Sequence, residues 1–158
     1  QGCFARLAYH RLGKDFGSED PYDIPSGNRE LAKKAMLFAF NLHNRMATSA
    51  ALRKYLNAHP EKEPKGFSIT QTMNELEKRH PAMKLGVGFY NQIGLQLQFE
   101  ESELCAAIMK NLTEQGIPVL SVHDSFVVPH DQGDELERQM VDCYTSRYGF
   151  EPKLQVSA

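Results

Sequence analysis

Apolar residues recur at helical spacing along most of the chain. The pattern predicts helices at about 4–9, 28–43, 48–58, 68–79, 95–115 and 134–148. Asn28 is a predicted N-cap, and Ser68 with Gln71 is a predicted capping box, because these side chains accept hydrogen bonds from free amides at the start of a helix. Pro81 should stop the fourth helix, and Gly116 should end the fifth.

Two short runs rich in β-branched residues, 119–122 and 125–128, surround His123 and Asp124. They predict an antiparallel hairpin with the polar pair at its turn. The predicted fold is therefore α+β, mostly helical with a small antiparallel sheet. The Asp124 carboxylate would project into solvent or into a cleft where a divalent cation could bind. The simpler alternative is that aspartate is there as a good turn residue.

Composition narrows the class of protein. The 158 residues are 41% hydrophobic and 24% charged, which suits one domain with a buried core. Three widely spaced cysteines form no zinc or disulfide pattern, so we expect reduced thiols in a cytoplasmic protein. No apolar run is long enough to cross a bilayer, so we expect no membrane partner. The net charge of −2 argues against a uniformly basic nucleic-acid binder but allows a local basic stripe.

Arg29 and Lys33 stand four residues apart in the first turns of a predicted helix. They share one face, and the helix dipole disfavours cations there unless an anion is bound. Arginine offers a fork of donors to phosphate oxygens, and lysine a compact charge, so the pair would suit a triphosphate. The alternative is a solvated helix face.

These motifs, in this order, resemble the polymerase core of the family A DNA polymerases and the bacteriophage-type single-subunit RNA polymerases. The hairpin around Asp124 resembles their motif C, with Ser-Phe following as in the RNA polymerases. The helix with Arg29 and Lys33 is similar to motif B, which binds the triphosphate. The opening residues are similar to the end of motif A, with Arg6 and His10 at the family's offsets. Together with an Asp-Pro-Tyr-Asp loop, the pattern is most similar to polymerase-related proteins of phages and plasmids.

The resemblance also marks the surroundings of the nucleotide, where this chain departs from the family. Leu37 and Asn41 stand where motif B carries an aromatic residue near the sugar and Tyr-Gly near the template. Phe4 stands where DNA polymerases of this family carry a glutamate that excludes the 2′-hydroxyl, and a bulky ring could do the same. Arg6 and Gln98 match positions near the primer-template, although an exposed helix residue is the simpler interpretation of Gln98.

The function that the resemblance implies is template-directed nucleotidyl transfer to a DNA or RNA chain, with two Mg²⁺ ions between carboxylates. Asp124 would bind metal. His123 would brace the turn or contact the primer backbone, because Mg²⁺ prefers oxygen ligands. The partner aspartate would stand two residues before Gln1, so we expect the chain to be a piece of a longer polypeptide and inactive alone. The implied setting is phage or plasmid replication in a bacterial or phage-infected cytoplasm.

By resemblance, 1–25 and 93–158 are palm segments and 26–92 is a fingers-like segment. The implied partners are nucleoside triphosphates and a nucleic acid template or primer. Two alternatives stay open. One is a degenerate polymerase fold kept as a nucleic-acid-binding or structural module. The other is a His-Asp metal phosphohydrolase, which the β-forming neighbours of His123 disfavour because such enzymes place the dyad on a helix.

Overall fold

A computed structural model of the chain describes residues 3–84, 88–122 and 125–155. Within these ranges the fold is mostly helical, with one two-stranded antiparallel sheet, which confirms the predicted α+β class. None of the described helices is long and apolar enough to span a membrane. In chain order the elements are α1 (Cys3–His10), α2 (Arg29–Asn41), α3 (Arg45–Ala58), α4 (Ile69–Arg79), α5 (Pro81–Lys84), α6 (Gly94–Glu114), β1 (Leu120–Val122), β2 (Ser125–Val127) and α7 (Gly133–Tyr148).

Side-chain caps set the starts of the helices around the candidate site. The Asn28 side chain accepts a hydrogen bond from the Leu31 amide at 3.0 Å, which confirms the predicted N-cap of α2. Asn44 caps α3 in the same way, accepting from the Ala47 amide at 2.7 Å. As a result α3 begins at Arg45, a few residues before its predicted start.

Only one of the two hydrogen bonds of the predicted capping box forms at the start of α4. The Ser68 hydroxyl accepts from the Gln71 amide at 3.3 Å. The Gln71 side chain does not return to the cap, because its amide donates instead to Glu75 at 2.8 Å. The helix ends at Arg79 as predicted, and the short helix α5 then begins at Pro81, a residue whose fixed φ suits the first turn.

A large hydrophobic core joins the first four helices to the start of α6. Helix α2 lies at its centre and packs against α3, α4 and α6, while α1 packs against α5 and α6. The largest fully buried apolar side chains of this core are Leu31, Met36, Phe40, Leu52, Leu56, Met73, Leu76, Met83 and Leu97. Because α2 buries one face here, its opposite face remains available at the surface.

A second, smaller cluster lies under the hairpin. Ile108, Leu112 and Val119 form its buried centre, and side chains of β2 and α7 pack against it. Helix α6 therefore contributes to both clusters. In the hairpin, Leu120 pairs with Val127, and Val122 pairs with Ser125, which confirms the predicted antiparallel pairing of the two runs.

Candidate functional site

A cavity of ≈ 330 Å³ opens between α1, α2 and α3. This volume lies at the small end of the range for ligand pockets. Its lining combines aromatic and charged side chains. The aromatic wall consists of Phe4, Tyr22, Phe40 and Tyr55. The charged lining consists of Glu30, Lys33, Lys34 and Lys62.

Helix α2 supplies most of the cavity wall. Its buried face, with Leu31 and Ala35, anchors the helix in the core. Lys33 is exposed, and Leu37, one turn later, is half-buried; both line the cavity. Lys33 and Leu37 are four residues apart, so they share one helical face, and that face borders this opening.

Phe4 reaches the same cavity from α1. Its ring is half-buried and packs against the edge of the large core. Phe4 and Leu37 are far apart in sequence and belong to different predicted motifs, yet both border the opening that Lys33 borders. Three residues expected near a bound nucleotide therefore lie around one cavity.

Tyr55 contacts two further cations at the cavity, Lys34 and Lys62. The Lys34 ammonium lies 4.8 Å from the centroid of the Tyr55 ring, in a cation–π contact. The Lys62 ammonium lies 5.6 Å from the same centroid and donates to the Tyr55 hydroxyl at 3.0 Å. The hydrogen bond to Tyr55 raises the pKa of Lys62, so this side chain is a cation at neutral pH.

Arg29 is already engaged by the protein. Its guanidinium forms an ion pair with Asp20 of the preceding loop and lies over the Tyr22 ring, 5.3 Å from the centroid. Burial alone would oppose ionisation of Asp20, but hydrogen bonds from Arg29 and from the Tyr22 amide outweigh it and lower the pKa of this carboxyl. Arg29 contacts Tyr22 of the cavity lining but is not itself among the described lining residues, so the predicted pairing of Arg29 with Lys33 around one ligand is not seen at this cavity.

Asn41, predicted near the template, lies at the last residue of α2. Its side-chain amide donates to the Leu37 carbonyl at 2.8 Å. The carboxamide fills the space that a Cβ at Gly94 would need, since an ideal Cβ there would lie 2.2 Å from Asn41 Oδ1. Asn41 therefore joins the end of α2 to the start of α6.

Arg6 and His10, from the motif A-like opening, are both buried. The Arg6 guanidinium donates to the carbonyls of Gly17 and Glu19, the latter at 2.6 Å, so it holds the loop that follows α1. His10 Nδ1 lies 2.7 Å from the Tyr144 hydroxyl, which joins α1 to α7. Burial lowers the pKa of His10, although Asp15 partly offsets the effect.

Gln98 lies on α6 and is exposed, as the simpler interpretation of this residue expected.

His123 and Asp124, the predicted catalytic pair, lie outside the described residues. The strand pairs on either side of them, including Val122 with Ser125, match the predicted hairpin. Within the described ranges there is no group of three or more acidic, histidine or cysteine side chains that could bind a metal.

A wider opening of ≈ 580 Å³ lies between the end of α6 and the start of α7. Its lining includes the acidic side chains of Asp131 and Glu135 and, among the described residues, no lysine or arginine. A phosphate-bearing ligand would meet repulsion there. The cavity beside α2 is therefore the better candidate for an anionic ligand.

Sequence reasoning missed Lys34, Tyr55 and Lys62. Lys34 had a visible signal, because it follows Lys33 directly. Tyr55 and Lys62 had none, since their contact depends on how α3 packs beside α2.

Searches against protein-family models, curated proteins and solved structures find no match to this chain.

Proposed function

We propose that this chain is part of a template-directed nucleotidyltransferase of the polymerase type. The observation that supports the proposal most directly is the meeting of Phe4, Lys33 and Leu37 around one cavity. Phe4 was expected near the incoming nucleotide from the motif A-like opening, and Lys33 and Leu37 from the motif B-like helix. Lys33 and Leu37 share one helix, so the informative part of the observation is that Phe4, from a separate element, lines the same cavity.

In the proposed reaction a 3′-hydroxyl attacks the α phosphate of a nucleotide and pyrophosphate leaves. Lys33 neutralises phosphate charge at the entrance of the cavity. Phe4 and Leu37 form the apolar wall beside the sugar, and the Phe4 ring excludes a 2′-hydroxyl. Asp124 and a carboxylate outside this chain would hold Mg²⁺, which lowers the pKa of the attacking hydroxyl and stabilises the leaving group.

The rest of the assignment follows from the same proposal. Residues 1–25 and 93–158 act as palm segments, and 26–92 as fingers. The antiparallel pairing of β1 and β2 suits a motif C hairpin. Leu120, Val122 and Val127 are each more than half exposed, so the hairpin offers an apolar surface to further palm structure. The nucleic acid partner is a template with its primer, in phage or plasmid replication in the bacterial cytoplasm.

Two observations favour the alternative of a non-catalytic polymerase-like module. Arg29, the first cation of the motif B-like helix, is bound by Asp20, and Asn41 is committed to packing on Gly94. A module of this kind would bind nucleic acid or nucleotide without extending a primer.

Primer extension with Mg²⁺ by the polypeptide that includes the residues before Gln1 tests the proposal. We expect incorporation that Asp124→Asn abolishes, because the amide has no charge to hold the metal. Asp131→Asn, an exposed aspartate of the following loop, is the matched control and should leave activity unchanged. Retained activity in Asp124→Asn would overturn the assignment, and nucleotide binding without incorporation by the unaltered protein would favour the module.

A further inference from the structure

The cavity beside α2 concentrates positive charge in a chain whose net charge is negative. Three lysines and one glutamate line it, whereas the chain as a whole carries a net charge of −2. Cations gathered in a concave site focus an attractive potential on anions. The local excess therefore favours an anionic ligand at this opening.

The cavity lysines outnumber the one carboxylate, Glu30, among the described lining residues. Within the described ranges Lys33, Lys34 and Lys62 form no ion pair, while the neighbouring arginines do. Glu63, next to Lys62 in sequence, is bound by Arg53 at 2.7 Å. Arg29 is bound by Asp20. Glu30 is the one carboxylate among the described lining residues and forms no ion pair with a cavity lysine, so the three ammonium groups retain donors for a ligand.

Tyr55 contacts two of these ammonium groups, which lie 4.8 and 5.6 Å from its ring centroid. Its ring faces Lys34 and its hydroxyl oxygen accepts from Lys62 at 3.0 Å. Because the hydroxyl accepts from Lys62, its own hydrogen remains available to donate to an anion. Phe38 supports the Tyr55 ring in an edge contact, with centroids 6.5 Å apart. The arrangement is a preformed set of cationic and hydroxyl donors.

We propose that Lys34 and Lys62, held by Tyr55, bind the phosphate chain of a nucleotide together with Lys33. The identification of the ligand as a nucleoside triphosphate rests on the proposed function, whereas the anion site itself does not. Lys62 comes from a 3-10 turn after α3, outside the helix that resembles motif B. Lys34 and Lys62 provide phosphate contacts beyond the arginine and lysine that the resemblance identifies.

Calorimetric titration of the 158-residue chain with inorganic tripolyphosphate, in low salt and without metal, tests the anion site. We expect binding that Lys62→Ala and Lys34→Ala each weaken by about tenfold, since each removes one charge-assisted contact. Lys65→Ala is the matched control, because Lys65 is an exposed lysine of the adjoining loop that does not line the cavity. Tyr55→Phe keeps the ring, so it should weaken binding less than Lys62→Ala.

Absence of tripolyphosphate binding, or an equal loss in Lys65→Ala, would overturn the site. Thermal unfolding of every variant checks that a loss of binding is not caused by a loss of folding. Lys62→Gln repeats the test with a side chain of similar length.

Competition then identifies the ligand: dATP should displace tripolyphosphate and adenosine should not. Failure of dATP to compete would overturn the nucleotide assignment. Because no step needs Asp124 or a metal, failed primer extension would leave this result standing.

Discussion

His80 is fully buried, and its two ring nitrogens have different partners. Nε2 lies 2.7 Å from the Pro21 carbonyl, which only accepts, so Nε2 carries the hydrogen. Nδ1 then accepts from the Tyr9 hydroxyl at 3.1 Å. The ring stacks on Phe16 with centroids 5.0 Å apart. The neutral imidazole is therefore satisfied, and burial lowers the pKa of His80 to about 4.

This lowered pKa predicts a loss of stability in mild acid. The unfolded chain takes up a proton near the usual pKa of 6.5, but folded His80 does so only near 4. Between these values the unfolded state binds more protons, so the free energy of unfolding falls as pH falls, by roughly 3 kcal/mol in total. The effect is absent above the unfolded pKa.

Urea unfolding at pH 7.5, 6 and 5 checks the prediction. We expect a smaller dependence on pH in His80→Gln than in the unaltered chain, even though the variant is less stable at every pH. His10, whose pKa burial also lowers, contributes with the same sign and remains in both proteins. Equal pH dependence in the two proteins would remove His80 as the cause.

At the scale of elements, α2 and α6 meet through a residue without a side chain. Gly94, the first residue of α6, is buried against the carboxamide of Asn41 at the end of α2. The contact sets how closely the helices approach, and α2 carries Lys33 and Leu37 at its free face. The packing of the core thereby positions the cavity wall.

Gly94→Ala should lower the free energy of unfolding by about 1–3 kcal/mol, because the new methyl group displaces Asn41 from its hydrogen bond. In an Asn41→Ala background the methyl group has room, so Gly94→Ala should cost much less there. A double-mutant cycle by urea unfolding measures this coupling. Additive effects would mean that Asn41 is not the obstruction. Gly133→Ala is the matched control, since nothing lies within 4 Å of a Cβ at this helix start.

At the scale of the whole molecule, α6 connects two hydrophobic clusters. Leu97 belongs to the large core and Leu112 to the cluster beneath the hairpin, and both side chains are fully buried. The second cluster has fewer buried residues, so we expect the hairpin and α7 to open at a lower free energy than the large core.

Leu112→Ala and Leu97→Ala form a matched pair in one helix. Each should cost about 2–5 kcal/mol through loss of buried contacts. Hydrogen exchange should separate them: Leu112→Ala should accelerate exchange mainly in β1, β2 and α7, and Leu97→Ala mainly in α1 and α2, which pack against the start of α6. The same exchange pattern in both variants would contradict the division into two clusters.

The local features of this fold were predictable from sequence because their causes are local. Helical spacing of apolar residues located the six longer helices within a few residues. The Asn28 cap followed from amide capping, and the antiparallel pairing of the two strands followed from β-branched runs around a polar turn. The start of α3 was misplaced because Asn44 was not recognised as a cap.

Sequence alone determined the helices, the hairpin and the grouping of Lys33 with Leu37 on one helical face, since hydrogen bonding and side-chain periodicity act within a few residues. Only the tertiary structure decided that Phe4 would join them, that Asp20 would bind Arg29, and that Tyr55 would bring Lys34 and Lys62 together. These contacts depend on how separate helices pack, and that packing is set by the shapes of buried side chains from the whole chain.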